Sequence, residues 1–153
     1  MVWEELPTLR KLQLDLDRVS TTGCNNNRCR RAAKNAFTNS GWLHRGPFPT
    51  NIWYEFEEFI QVQRIGFSNS YTKSLSLSPK KFSIIGSKRQ GCGRWKNLRK
   101  ALNANFDRKK QHKYWDIPRT DVEGYKCYGL KFNSNGAKGI FVKNMAMWIV
   151  TQK

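Results

Sequence analysis

The sequence predicts an all-β fold, an antiparallel sandwich or barrel, on three observations. Short runs alternate apolar and polar residues with period two. Clusters of Gly, Pro, Asn and Ser separate those runs at fairly regular intervals. Helical periodicity is thin. The chain of 153 residues is read as one domain over 1–153, with its core in 12–150, long enough to bury roughly two thirds of its unfolded surface.

The elements follow in order. KLQLDLD (11–17) alternates and reads as the first strand. CRRAAKNAF (29–37) has room for a turn or two of helix. IWYEFEEF (52–59) and VQRIGFS (62–68) alternate again, and KKFSIIGS (80–87) is an apolar, β-branched run ended by glycine. NLRKALNANF (97–106) places Leu98 and Leu102 at helical spacing, yet its setting among strands favours strand or irregular structure. HKYWDIP (112–118) is closed by proline, which lacks a ladder donor. GYKCYGLKFNSNG (124–136) ends in turn residues, and GIFVKNMAMWIV (139–150) closes the set. Between Trp42 and Trp53, HRGPFPTN (44–51) carries two prolines around Phe48 and cannot be a strand throughout, so it reads as a loop held between apolar anchors. Trp53, Trp95, Trp115 and Trp148 fall on strand patterns and read as core.

Charge is the strongest compositional signal. Lys and Arg total 28 against 11 for Asp and Glu, a net +17. A surplus that large points to an anionic partner: sulfated or otherwise anionic glycan, anionic lipid, nucleic acid or mineral. It gathers in RCRRAAK (28–34), SKRQGCGRWKNLRK (87–100) and DRKKQHK (107–113). No apolar run approaches the roughly 20 residues of a membrane-spanning helix. The acidic start, MVWEE, shows no signal-peptide core. The cysteines Cys24, Cys29, Cys92 and Cys127 are even in number and fit two disulfides in an oxidising compartment, with pairing open and free thiols the alternative. Their spacing is poor for zinc. A bridge within GCNNNRC would close a very short loop and stiffen an Asn-rich tip. No nucleophile elbow, phosphate loop or Cys–His pair is present, and His44 and His112 stand far apart, so no catalytic residues, metal ligands or cofactor are assigned.

The order of motifs resembles the discoidin domains, the coagulation factor V/VIII type C domains of the galactose-binding-like jelly-roll family. NAF (35–37) followed by Trp42 is similar to that family's Ala-Phe-Asp-Gly…Trp segment. IWYEFEEFIQVQRIGF, then SPKKFSIIGSK with GRWKNL, then YKCYGLKFNSNG, then GIFVKNMAMW match its later strands in sequence. The match runs over about 12–150, most specifically over 82–98.

The resemblance implies a jelly-roll sandwich of five strands against three, with ligand loops at one end. Those loops would be 23–31, 44–51 and 69–78. It implies a non-catalytic module that binds galactose-type or anionic, sulfated glycans, lectin-like or adhesive, at the cell surface or in the matrix. Ligand residues would be His44, Arg45, Phe48 and Asn51, with Arg28, Arg30 and Arg31 from the first loop and Tyr71 and Lys73 from the third. Aromatic faces suit the apolar side of a sugar, and Arg forks suit sulfate. Arg89 and Arg94 make a secondary basic patch. The same fold on anionic phospholipid is the first alternative, and nucleic acid or mineral association follows. Weak single sites favour oligomerisation for avidity. Many family members hold a structural calcium after Ala-Phe, but AFTNSGW has no carboxylate for it.

Overall fold

A computed structural model describes residues 8–22, 31–69, 75–108, 111–118, 123–134 and 139–150. Among them the strands are β1 (Leu9–Lys11), β2 (Val19–Thr21), β3 (Trp42–His44), β4 (Thr50–Ile60), β5 (Arg64–Ser68), β6 (Lys81–Ser87), β7 (Lys96–Asn103), β8 (His112–Asp116), β9 (Tyr125–Phe132) and β10 (Ile140–Val150). They form two antiparallel sheets of five strands each. The first runs β1-β10-β5-β8, with β3 also on β10; the second runs β2-β4-β9-β6-β7. This is the discoidin-like jelly-roll sandwich.

The strand count of the first sheet differs from the expected three. Its centre is β10-β5-β8, and two three-residue strands extend it at the two ends of β10. Leu9–Lys11 pairs Val150 to Trp148, and Trp42–His44 pairs Val142 to Ile140. An 11-residue strand is long enough to take both. The stretch 97–106 becomes β7 through Asn103, so pairing with β6 overrode the helical spacing of Leu98 and Leu102. Helical turns at 31–33 and Lys34–Phe37 fall where the turn of helix was expected.

The stretch 11–17 is not a strand. Its alternation is real, since Leu12 and Leu14 pack on the core. The ladder stops with Leu12 N–H donating to the Met147 carbonyl at 2.9 Å, and Asp15 N–H donates instead to the Tyr54 hydroxyl at 2.9 Å. Period two reports which side chains are buried, not whether a partner strand exists.

The inner faces interlock through aromatic rings. Phe67 of β5 meets Phe82 at 5.4 Å and Phe132 at 5.6 Å on the opposite sheet, and Trp115 at 5.2 Å on its own. Phe67, Phe82 and Phe132 have no exposed surface. Burying each such ring contributes about 1.5–3 kcal/mol. Trp42 is buried, as a loop anchor should be, and Trp115 packs on the core, as its strand position predicted. Trp53, Trp95 and Trp148 do not join that core. They are half-buried on the outer faces, because the register puts Ile52 and Tyr54 inward and Trp53 outward.

Candidate functional site

Strand registers gather several loops at one end. Thr50 opposes Phe132, which opposes Phe82, and Lys81 opposes Asn103. Ile140 opposes His44 on the other sheet. The segments 45–49, 75–80, 104–108 and 133–134 therefore open on the same side. Arg28, Arg30, Tyr71 and Lys73, with Cys24 and Cys29, lie outside the described residues.

The loop between Trp42 and Trp53 is fastened from beneath. His44 is 3% exposed. Its Nε2 lies 2.9 Å from the Pro47 carbonyl, which can only accept, so the ring carries its proton there. The ring sits 5.0 Å from Trp42 and edge-on to Phe48 at 5.1 Å. The sequence reading counts His44 among ligand contacts; its burial makes it a positioning residue under the loop. Phe48 is half-buried against the core. Arg45, Pro47 and Pro49 are the exposed members. Asn51 spends its backbone on β2: its N–H donates to Thr22 Oγ1 at 3.0 Å, and its carbonyl accepts from Thr21 Oγ1 at 2.7 Å. Its register neighbour on the outer face is Lys131.

Asn69 fastens two further loops. It is fully buried. Its Nδ2 donates to Ser78 Oγ at 3.0 Å and to the Arg108 carbonyl at 2.8 Å, and its Oδ1 accepts from Gln111 N–H at 2.9 Å. Three bonds from one amide satisfy a side chain that would be costly to bury unpaired. Sequence reasoning missed this residue. The available signal was an Asn directly after a strand, a position where its amide can bond to nearby backbone.

Cations crowd this end. Arg45, Lys80, Lys81 and Arg108 are exposed and Lys131 is half-buried. Asp107 is the one carboxylate that the described loops bring there. Lys80, Lys81, Arg108 and Lys131 were not predicted as site residues, because only strand pairing brings these distant positions together. Arg31 is exposed on the helical turn beside the middle of β10, where Asn144 N–H donates to the Thr38 carbonyl at 2.9 Å. In the same turn Lys34 Nζ lies 2.6 Å from Asp17, which holds that carboxyl below its ordinary range by hydrogen bond and then by charge.

Arg89 and Arg94 lie at the opposite end, on the loop 88–95. Both are exposed and flank Cys92, which is disulfide-bonded to Cys127 with Cα atoms 5.9 Å apart. The loop lies over the outer face of the second sheet, where Trp53 and Trp95 meet at 5.1 Å. Gly129 makes room for this: a Cβ there would lie 2.6 Å from Trp53 Cβ and 2.2 Å from the Ile52 carbonyl. Gly91 N–H donates to Glu55 Oε2 at 2.7 Å, and Ser87 Oγ donates to the Gly93 carbonyl. Among the described residues Glu55, Cys92 and Cys127 bring ligand atoms within 4.8 Å of one another, but the two sulfurs are joined to each other.

The turn after Ala36-Phe37 closes on protein groups. The Asn35 carbonyl accepts from the N–H groups of Thr38 and Gly41, each at 3.0 Å. Asn39 Oδ1 accepts from the buried Lys143 Nζ at 3.2 Å and from Asn144 Nδ2 at 3.3 Å. An ammonium of the chain thus contacts the turn where many discoidin domains place calcium.

The Sad1 / UNC-like C-terminal family matches residues 32–142. No curated protein matches the sequence. Among solved structures the chain is similar to the F5/8 type C domain of a Bacteroides fragilis protein, at 12% identity and a TM-score of 0.67, covering 94% of this chain and 98% of that one. It is similar to chitosan-binding module 1 from a Paenibacillus chitosanase/glucanase, at 13% identity and a TM-score of 0.61, covering 84% and 92%. A Clostridium perfringens carbohydrate-binding module in complex with GalNAc-β-1,3-galactose matches at 11% identity and a TM-score of 0.61, covering 88% and 97%. Likeness at such identities carries the fold.

Proposed function

The chain belongs to the Sad1/UNC-like C-terminal family, and on that premise we propose that it is a non-catalytic module that binds glycans, anionic ones by preference, through the loop end of the sandwich. The carrying observation is that Arg45, Lys80, Lys81, Arg108 and Lys131 share the loop end with a single carboxylate of the described loops, Asp107. Arg45 supplies the fork for a sulfate or carboxylate, and His44 and Asn69 hold the loops in place. Arg28, Arg30, Asn51, Tyr71 and Lys73 extend the same reading, while Arg31, on the helical turn beside β10, stands apart from that end. The solved relatives named for chitosan and for GalNAc-β-1,3-galactose support sugars as the ligand class. The Cys92–Cys127 disulfide supports an oxidising, extracellular setting. Phe48 packs on His44, which speaks against an apolar tip that enters a bilayer.

The test is a glycan array carrying neutral galactosides, fucosides and sulfated glycans, probed at low and high salt with the native chain and Arg45→Ala. Binding selective for sulfated glycans, weakened by salt and by Arg45→Ala, is the expected result. Screening acts with a Debye length of about 10 Å at 0.1 M salt. Silence on the array at both salts would overturn the reading and turn attention to anionic vesicles.

A further inference from the structure

A second surface lies away from the loop tips, on the outer face of the first sheet. The registers place Lys11 beside Trp148, Trp148 beside Arg64, and Gly66 beside Tyr114. Tyr114 is 53% exposed, the largest exposure of any large apolar side chain in the described core and strands. Three rings cluster here, and two of them, Tyr114 and Trp148, border Gly66. Tyr114 and Trp148 lie 6.1 Å apart, His112 and Tyr114 6.3 Å, and His112 and Trp148 6.5 Å. Gly66 keeps the floor open: a Cβ there would lie 2.9 Å from Tyr114 Cβ and 3.3 Å from the Trp148 ring. Ser68 Oγ and His112 Nδ1 share a hydrogen bond of 2.7 Å, which orients the imidazole. Arg64 lies 4.3 Å over the Tyr114 ring and 2.7 Å from Asp116, which orients the phenol ring in turn. Beside the rings runs a groove of about 400 Å³ lined by Asn103, Asn105, His112, Lys113 and Tyr114.

The shape and charge narrow the ligand. The rings are tilted by 54° to 68° to one another. They form a shallow cup and not a flat shelf, which suits one pyranose and not a run of stacked bases. Three rings around a hollow are also the geometry of a cage for a quaternary ammonium. Here Lys11 and Arg64 stand on the rim, and Arg64 already occupies one ring face, so a cation is repelled. An anionic sugar meets all three features: ring faces for its C–H side, amide donors in the groove for its hydroxyls, and cations for its charge. We propose that the Trp148–Tyr114–His112 cup over Gly66 is a second binding site, for a sulfated or uronate-bearing saccharide, independent of the loop end.

The experiment is titration calorimetry of the full chain with a heparin-derived hexasaccharide, its desulfated counterpart and oligo-dT. The variants are Tyr114→Ala, Tyr114→Phe, Lys11→Ala and Arg45→Ala, each checked for an unchanged melting temperature. Tyr114 is an exposed side chain, so its loss spares the core, and Tyr114→Phe separates ring stacking from the hydroxyl. The expected result is about a tenfold loss of hexasaccharide affinity in Tyr114→Ala and a smaller loss in Lys11→Ala, with Tyr114→Phe near native. Native affinity in Tyr114→Ala, no binding of the hexasaccharide by the native chain, or tighter Tyr114-dependent binding of oligo-dT would each overturn the proposal. A loss confined to Arg45→Ala leaves the loop-end reading standing and removes this one. A loss confined to Tyr114→Ala does the reverse, and losses in both variants support both sites.

Discussion

The two ends of the sandwich fasten their loops by different means. At the loop end, buried polar side chains hold the chain from inside: His44 takes the Pro47 carbonyl, and Asn69 takes Ser78, Arg108 and Gln111. At the other end the loop 88–95 lies on the outside of a sheet, with solvent on its far side. There a covalent bond, Cys92–Cys127, and one pair of rings, Trp53 and Trp95, add to the hydrogen bonds that Ser87 and Glu55 make to the loop backbone. The difference follows from shelter. A hydrogen bond contributes most where water cannot compete for its partners, as beneath the loop end. A loop shielded on one face gains less from such bonds, and a cross-link that restrains the unfolded chain works whatever the exposure.

The largest expected effect breaks the covalent end. Cys92→Ser with Cys127→Ser removes a link between positions 35 residues apart. Urea unfolding should show a loss of about 3–4 kcal/mol, by loop-closure entropy. Glycan affinity at the opposite end should be unchanged in the fraction that remains folded; a parallel loss of binding would show that the two ends are coupled.

A smaller effect breaks the hydrogen-bonded end. Asn69→Ala leaves the Gln111 N–H and the Arg108 carbonyl without their partner. The expected cost is about 1–3 kcal/mol in urea unfolding, from buried groups left unsatisfied. Hydrogen exchange at the Gln111 amide should speed up while exchange in β4 and β9 holds. Uniform loosening would mean that Asn69 acts on the whole fold and not on its loops.

The smallest effect belongs to the sheet face between the two ends. Partial burial, and then the Lys11 ammonium of β1, push His112 below the ordinary imidazole value of 6.5. Ser68 of β5 bonds its Nδ1, and the rings of Tyr114 and Trp148 flank it. The unfolded chain therefore binds this proton more readily than the folded one. The contribution is fully present above about pH 6.5 and declines as pH falls through the lower folded value. Thermal unfolding followed from pH 7.5 to 5 should show a shallow decline that His112→Gln removes. An equal slope in the variant would assign the decline to other groups.

Much of the fold was legible because strand alternation is local. Ile52, Tyr54, Phe82, Ile84 and Phe132 lie in alternating or β-branched runs, and all are buried. The family order of those runs then implied the jelly roll. The loop between Trp42 and Trp53 was legible as a loop, since its prolines bar a continuous ladder. The role of His44 was not, because burial depends on what the folded chain lays over a residue.

The sequence by itself determined the all-β class, the positions of most strands, the +17 charge and the residues able to face a core. The tertiary structure alone decided which cysteine meets Cys92, which face Trp53 takes, and which cations share an end. Lys80, Lys131 and Arg108 come to the same end as Arg45 through the pairing of β4, β9, β6 and β7. Alternation says which side chains share a face, but it does not say which face is inside. A second apolar patch, such as Trp148 with Tyr114, looks like core until the other sheet is in place. Pairing across distant segments settles that, and it depends on contacts that no local window contains.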